Sequence, residues 1–159
     1  MKIKVDKLVI SKSPSELEIN GVTLLTVEEA KALTDKQRYQ TPTWWLRSPG
    51  TSDFTAAFVA GEYGDVYDSG IDVDEEFGVR PALQISNLQS LNLEIGDRFD
   101  FVGYEWTVIS ENKALCDDVI GNLAFRKDWE AKDANCYEQS DIKKYLEDWW
   151  EDVQNEDSD

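Results

Sequence analysis

Two short segments constrain this chain more than anything else in it: Trp44-Trp45-Leu46-Arg47-Ser48-Pro49-Gly50 and Gly78-Val79-Arg80-Pro81-Ala82-Leu83. Each sets an arginine and a proline among aromatic or aliphatic residues. A guanidinium beside side chains that will be buried must find carboxylates or backbone carbonyls, because an unpartnered buried charge is costly. Pro81 cannot donate to a ladder, so its strand is expected at an edge or with a bulge there. On a strand Trp44 and Trp45 point to opposite faces. Core for both, with one covered by a loop, is the expectation; a surface platform for one of them is the alternative. One reading gives Arg47 and Arg80 such carboxylate or carbonyl partners within the core. The rival reading has Arg47 and Arg80 converging on an anionic ligand.

Periodicity fills in the rest. Ile3 and Val5, Leu8 and Ile10, then Leu17 and Ile19 alternate as strands do, with Asn20-Gly21 as a tight turn before Val22 to Leu25. Thr26-Val27-Glu28-Glu29 has capping-box spacing and predicts a short helix from Val27 to about Leu33. Phe54 to Ala60, Val66 to Val73 (with Gly70 as a bulge) and Val79 to Ile85 read as a β-meander. Asn87 to Asn92 is a connection. Phe99, Phe101, Trp106 and Val108 make two strands around Gly103, followed by a strand from Ala114 to Ile120. Residues 121–139 read as irregular. Ser140 caps a final helix whose apolar face is Ile142, Tyr145, Leu146, Trp149, Trp150 and Val153.

The two motif segments resemble the signature of an uncharacterised domain family of Firmicutes and their phages, and the resemblance implies that Trp44, Trp45, Arg47, Pro49, Gly78, Arg80 and Pro81 form a structural, fold-defining motif. That family is similar to the C-type-lectin-like fold of the sulfatase-modifying (formylglycine-generating) enzymes. The resemblance implies a compact α+β domain of short twisted antiparallel strands and two helices. Residues 22–85 resemble the closing half of one family domain. Gly96-Asp97 through Trp106-Thr107-Val108-Ile109-Ser110, Lys113-Ala114-Leu115-Cys116 and Asp141-Ile142-Lys143-Lys144-Tyr145-Leu146 resemble its opening half, across 93–153. The order is thus swapped, as in a circular permutation, which implies one domain over 1–159 with residues 154–159 as an acidic tail.

Charge and residue supply narrow the function. The chain has 33 acidic and 16 basic residues in 159, no histidine, and a net charge of −17. Residues 87–159 hold 19 of the acids and 7 of the bases. Direct binding to nucleic acid or to an anionic membrane is disfavoured by charge repulsion, and no apolar run approaches the ~20 residues of a membrane span. Without histidine the usual near-neutral base is missing, and zinc lacks its usual ligands. Cys116 and Cys136 are read as free thiols, and neither matches the cysteine pair of the formylglycine-generating enzymes. No catalytic residue is assigned.

Two acidic segments remain. Between Asp65 and Glu76, carboxylates including Asp65, Asp68, Asp72 and Asp74 could supply oxygen ligands to calcium; a solvated acidic loop is the bland alternative. On the last helix and tail, Glu147, Asp148, Glu151, Asp152, Glu156 and Asp157 form a negative rim suited to a protein partner with a basic surface. A frayed, solvated end is the alternative there. The leading expectation is a non-enzymatic phage or prophage interaction protein, acting as a counter-defence inhibitor that occupies a basic nucleic-acid-binding partner by imitating nucleic acid. Its place would be the cytoplasm of an infected or lysogenic host. The alternative is a lectin-like module on a virion or cell surface that binds sugar or protein through the Trp44 to Val73 region.

Overall fold

The computed structural model describes residues 10–11, 17–40 and 42–157. The strand expected across Ile3, Val5 and Leu8, and Asp159 in the tail, lie outside the described residues. The chain runs through β1 (Ile10–Ser11), β2 (Ile19–Thr23), α1 (Val27–Lys31), α2 (Asp35–Arg38), β3 (Trp44–Pro49), β4 (Thr55–Ala60) and β5 (Asp65–Asp72). It continues with β6 (Glu76–Val79), β7 (Ala82–Ile85), β8 (Arg98–Phe101), β9 (Tyr104–Ser110), β10 (Lys113–Cys116), β11 (Gly121–Ala124) and α3 (Asp141–Asp157). The result is a mixed α+β structure with a six-stranded sheet, β1-β8-β9-β10-β7-β2, and a five-stranded sheet, β11-β6-β3-β4-β5. Each sheet takes strands from both halves of the chain.

Local signals explain several elements. Thr26 caps α1, with its hydroxyl receiving the Glu29 N–H while the Glu29 carboxylate receives the Thr26 N–H. Ser140 caps α3 in the same spirit, its Oγ accepting the Lys143 N–H at 3.0 Å. Gly70, at φ +83°, sits in a bulge where β5 spends five residues, Tyr67 to Ile71, against three on β4, Ala56 to Phe58. A side chain there would meet the Ala56 carbonyl oxygen at 2.7 Å.

Other expectations are corrected. Val79 to Ile85 is not one strand closing a meander. It breaks at Arg80-Pro81, β6 staying in the five-stranded sheet and β7 crossing to the other. Pro81 therefore lies between strands, and β7 is internal, flanked by β10 and β2. Asn20-Gly21 makes no turn. The ladder between β2 and β7 runs through it with a register shift between Ile19 and Gly21, so long-range pairing overrides a turn-forming dipeptide. The strand expected to reach Ile120 ends at Cys116, and the stretch expected to be irregular contains β11, paired antiparallel with β6. Two pairs, β1 with β8 and β3 with β6, are parallel rather than antiparallel. A third helix, α2, joins the expected two, opened by a Thr34–Gln37 capping box.

The core divides into three packed groups. Trp45 joins Val73, Val79, Phe125, Ile142 and Leu146 between the five-stranded sheet and the first half of α3. Phe99, Phe101 and Trp106 of the six-stranded sheet receive Trp149 and Trp150 from the second half of α3. Trp44 packs on the other face of β3, with Leu46, Val59, Leu115 and the apolar side of α1. α3 thus spans both sheets, which is why its apolar face is so broad.

Candidate functional site

Trp44 and Trp45 are both fully buried, on opposite faces of β3. Their indole N–H groups donate to the carbonyls of Arg38 and Leu123 at 3.1 and 3.0 Å, so neither ring carries an unpaired donor into the core. Arg80 is 4% exposed and lies over the Trp44 ring, 4.8 Å from its centroid. Its Nε donates to the Cys116 carbonyl at 2.8 Å and its Nη1 to the Gln37 carbonyl at 2.6 Å. Burial pushes this guanidinium down to about 10, against the opposing field of Asp117, so it stays charged at neutral pH. Arg47 stacks 4.6 Å from the centroid of Tyr137, donates to the Thr23 hydroxyl at 2.9 Å and pairs with Glu138 at 3.4 Å.

The two arginines do not meet. Arg80 opens on a cleft of about 350 Å³ that also involves Lys36, Gln40, Arg98, Thr107 and Asp117, whereas Arg47 lines a separate hollow with Ser48, Asn135 and Tyr137. In the Arg80 cleft the carboxylate is already engaged. Asp117 takes Nε and Nη2 of Arg98 and the Thr107 hydroxyl, and Arg98 also pairs with Glu105. Burial lowers the Arg98 pKa, but these carboxylates outweigh it and the net shift is upward. Pro49 ends β3, and Gly78 stands where its N–H reaches the Thr43 carbonyl at 2.8 Å, tying β6 to the residue before β3.

The expected calcium ligands are corrected by the strand that carries them. Asp65, Asp68 and Asp72 lie along β5 rather than in a loop, with Asp74 in the turn beyond it. Asp65 and Asp72 stand opposite Ala60 and Thr55 at the two ends of β4, about 17 Å apart at the usual rise of a strand. Asp68 pairs instead with Lys31 at 3.4 Å. No three metal-ligating side chains of Asp, Glu, Cys or His come together among the described residues.

The acidic rim of α3 is exposed at Glu147, Asp148, Glu151 and Asp152. Two of these have partners that spacing alone makes available, Lys143 with Glu147 at 2.8 Å and Lys144 with Asp148 at 3.4 Å. The hydrogen bond to Glu147 raises the Lys143 pKa. Glu151 and Asp152 make no ion pair among the described residues. The side chains of Glu156 and Asp157 lie outside the described part.

Sequence reading did not single out the exposed pair of Phe54 and Trp129, whose rings meet edge-on with centroids 6.2 Å apart. With Asp72 and Asp74 they line a notch of about 350 Å³. A tryptophan between Asp128 and Glu130 was the available signal, since an aromatic ring flanked by charges is poorly placed for a core. Cys116 is buried, and burial pushes its thiol up to about 12, which keeps it protonated and unreactive.

Residues 10–87 match the family model of a domain of unknown function, DUF6273. No curated protein matches the chain, and no solved structure does. The matched segment holds both arginine–proline motifs and strands β1 to β7, whereas the carbonyl of Cys116 that receives Arg80 lies beyond it. No helix among the described residues is long and apolar enough to cross a membrane.

Proposed function

We propose that this protein is a non-enzymatic interaction protein of phage or prophage origin that docks a basic, nucleic-acid-binding protein through its acidic outer surface, as a counter-defence inhibitor would. The observation that carries this reading is the direction in which the charges point. Arg38 donates to the carbonyls of Ala30, Leu33 and Gly64, Arg80 to those of Gln37 and Cys116, and Arg126 to that of Gln139. Lys113, 13% exposed at its side chain, is consumed by Glu29. Of the described basic residues Lys31, Lys36, Lys127, Lys132 and Lys144 stay exposed, while most of the described carboxylates do, so the surface is more negative than composition alone conveys. Such a surface speeds encounter with a basic groove. The missing histidine and the protonated Cys116 thiol support a non-enzymatic role.

We read the architecture as C-type-lectin-like with a permuted order. Support comes from the mixed α+β layout of short strands and from the interleaving of strands from 22–85 and 93–153 in each sheet. The test of function uses a partner captured from a Gram-positive host lysate at low salt. Association of that partner is then measured with the parent and with a Glu147→Gln, Asp148→Asn, Glu151→Gln, Asp152→Asn variant. The association rate should fall, and the partner should regain nucleic acid. Equal binding and competition at physiological salt would remove the acidic-mimic reading and promote the lectin-like recognition module in its place.

A further inference from the structure

We infer that the notch between Phe54, Trp129, Asp72 and Asp74 is a receptor for a single cationic side chain, arginine or lysine, presented by a protein partner. This rests on the reading of a basic partner and names its anchor. The notch is assembled by backbone bonds rather than left to loose loops. The Val73 N–H donates to the Phe54 carbonyl at 2.9 Å, and Thr55 stands opposite Asp72 in the ladder, which sets Phe54 beside both carboxylates. The segment carrying Trp129 is fastened on either side. The Arg126 N–H donates to the Val73 carbonyl at 3.0 Å, and the Asn135 N–H to the Asp53 carbonyl at 3.1 Å. The Asn135 amide adds bonds to the carbonyls of Ser52 and Thr55 at 2.9 and 3.1 Å.

The chemistry of the walls selects the occupant. A ring face attracts a cation, more strongly when the site excludes water, and carboxylates close on a guanidinium or ammonium through charge-assisted bonds. Asp72 and Asp74 have no ion-pair partner among the described residues, and the nearby Arg126 guanidinium is turned to the Gln139 carbonyl at 2.9 Å. Elsewhere the protein fills the same kind of seat itself: Arg80 lies over Trp44 and Arg47 over Tyr137. The exposed acids Asp53, Asp128 and Glu130 flank the notch in sequence, as do the exposed Lys127 and Lys132, so selection of a cation rests on Asp72 and Asp74. A neutral sugar would also stack on the rings, but it would leave both carboxylates uncompensated.

The experiment follows the Trp129 indole N–H by two-dimensional NMR of the full chain, its peak assigned with Trp129→Phe. The probes are end-capped Gly-Arg-Gly, Gly-Lys-Gly and Gly-norleucine-Gly, and a neutral oligosaccharide of N-acetylglucosamine. The cationic peptides should shift the Trp129 peak saturably, and the norleucine peptide and the sugar should not. Asp72→Asn with Asp74→Asn should weaken the cationic peptides about tenfold, the effect of losing a hydrogen bond to a charged group. A shift from the sugar alone, or equal shifts from lysine and norleucine, overturns the proposal. Cationic peptides that move α3 signals and leave Trp129 still also overturn it, while the acidic-surface reading stands. Conversely, a working notch in a protein whose neutralised α3 binds its partner unchanged would sink the acidic-mimic reading alone.

Discussion

At Arg80 a guanidinium lies over Trp44, held by two backbone carbonyls and almost wholly shielded from water. At Phe54 and Trp129 two half-open rings and two carboxylates stand at the surface, with none of the protein's own described cations between them. The parts are alike and the environments differ. Buried, an aromatic–cation seat joins elements: Arg80 links the end of α2, the junction between β6 and β7, and the end of β10. Exposed, the same seat has little to stabilise and is left for an outside group. Burial therefore decides whether such a seat serves the fold or recognition.

The comparison breaks most sharply at Arg80. Arg80→Met keeps the apolar stem but leaves the Cys116 and Gln37 carbonyls unpaired. It should cost about 3 kcal/mol in urea unfolding, on the scale of one to three for each orphaned buried acceptor. Arg80→Lys should recover only part of that loss, because an ammonium cannot reproduce the planar fork. A variant as stable as the parent would mean that the guanidinium is not the tie described.

Glu29 gives a smaller, pH-dependent version. Burial raises its pKa, but the Lys113 ion pair and the Thr26 N–H outweigh this and leave it below the ordinary carboxylate value. A lowered folded-state pKa stabilises above the unfolded value of 4.5 and is lost as pH falls through the folded one. Glu29→Gln preserves the cap and removes the charge. It should cost about 0.5–1 kcal/mol at pH 7, with the difference from the parent shrinking below pH 4.5 in an acid series of denaturation curves. A difference constant from pH 7 to pH 3 would contradict this account.

Phe54→Ala and Trp129→Ala sharpen the other side. Their half-exposed rings should contribute under about 1 kcal/mol each, well short of the 3–5 kcal/mol typical of a buried aromatic. A larger loss in thermal unfolding would make the notch a piece of core. Smallest of all, neutralising Glu147, Asp148, Glu151 and Asp152 should move stability by no more than about 0.5 kcal/mol, as exposed charges usually do.

What was legible in the sequence is what short-range physics decides. The Thr26 capping box, the apolar face of α3, the strand pair around Gly103 and the Gly70 bulge all follow from neighbours within a few residues. The sheet change at Arg80-Pro81 was not legible, because alternation along Val79 to Ile85 reports that a strand forms and not which sheet receives it. β11 was missed for a related reason. Gly121 and Asn122 are poor strand formers, held in register by β6 rather than by their own preference. The acids of β5 looked clustered only because sequence distance ignores the rise of a strand. The notch joins Phe54 to Trp129 across 75 positions, and no local pattern connects them.

In the six-stranded sheet, β8, β9 and β10 lie between β1 on one side and β7 with β2 on the other. A ribosome delivers the flanking strands first and the middle ones later. Until the chain has been made past Cys116, β7 offers a free edge where β10 will bind, and β1 has no neighbour from β8. The five-stranded sheet likewise waits for β11 to cover β6, and both sheets wait for α3. Folding of either sheet during synthesis therefore waits until α3 has been made, and pairing between distant strands is slow in any case. A chain interrupted before α3 would leave Trp106 without Trp149 and the Ile120 carbonyl without Tyr145, and so lie open to the cell's proteases: one helix seals both sheets at once.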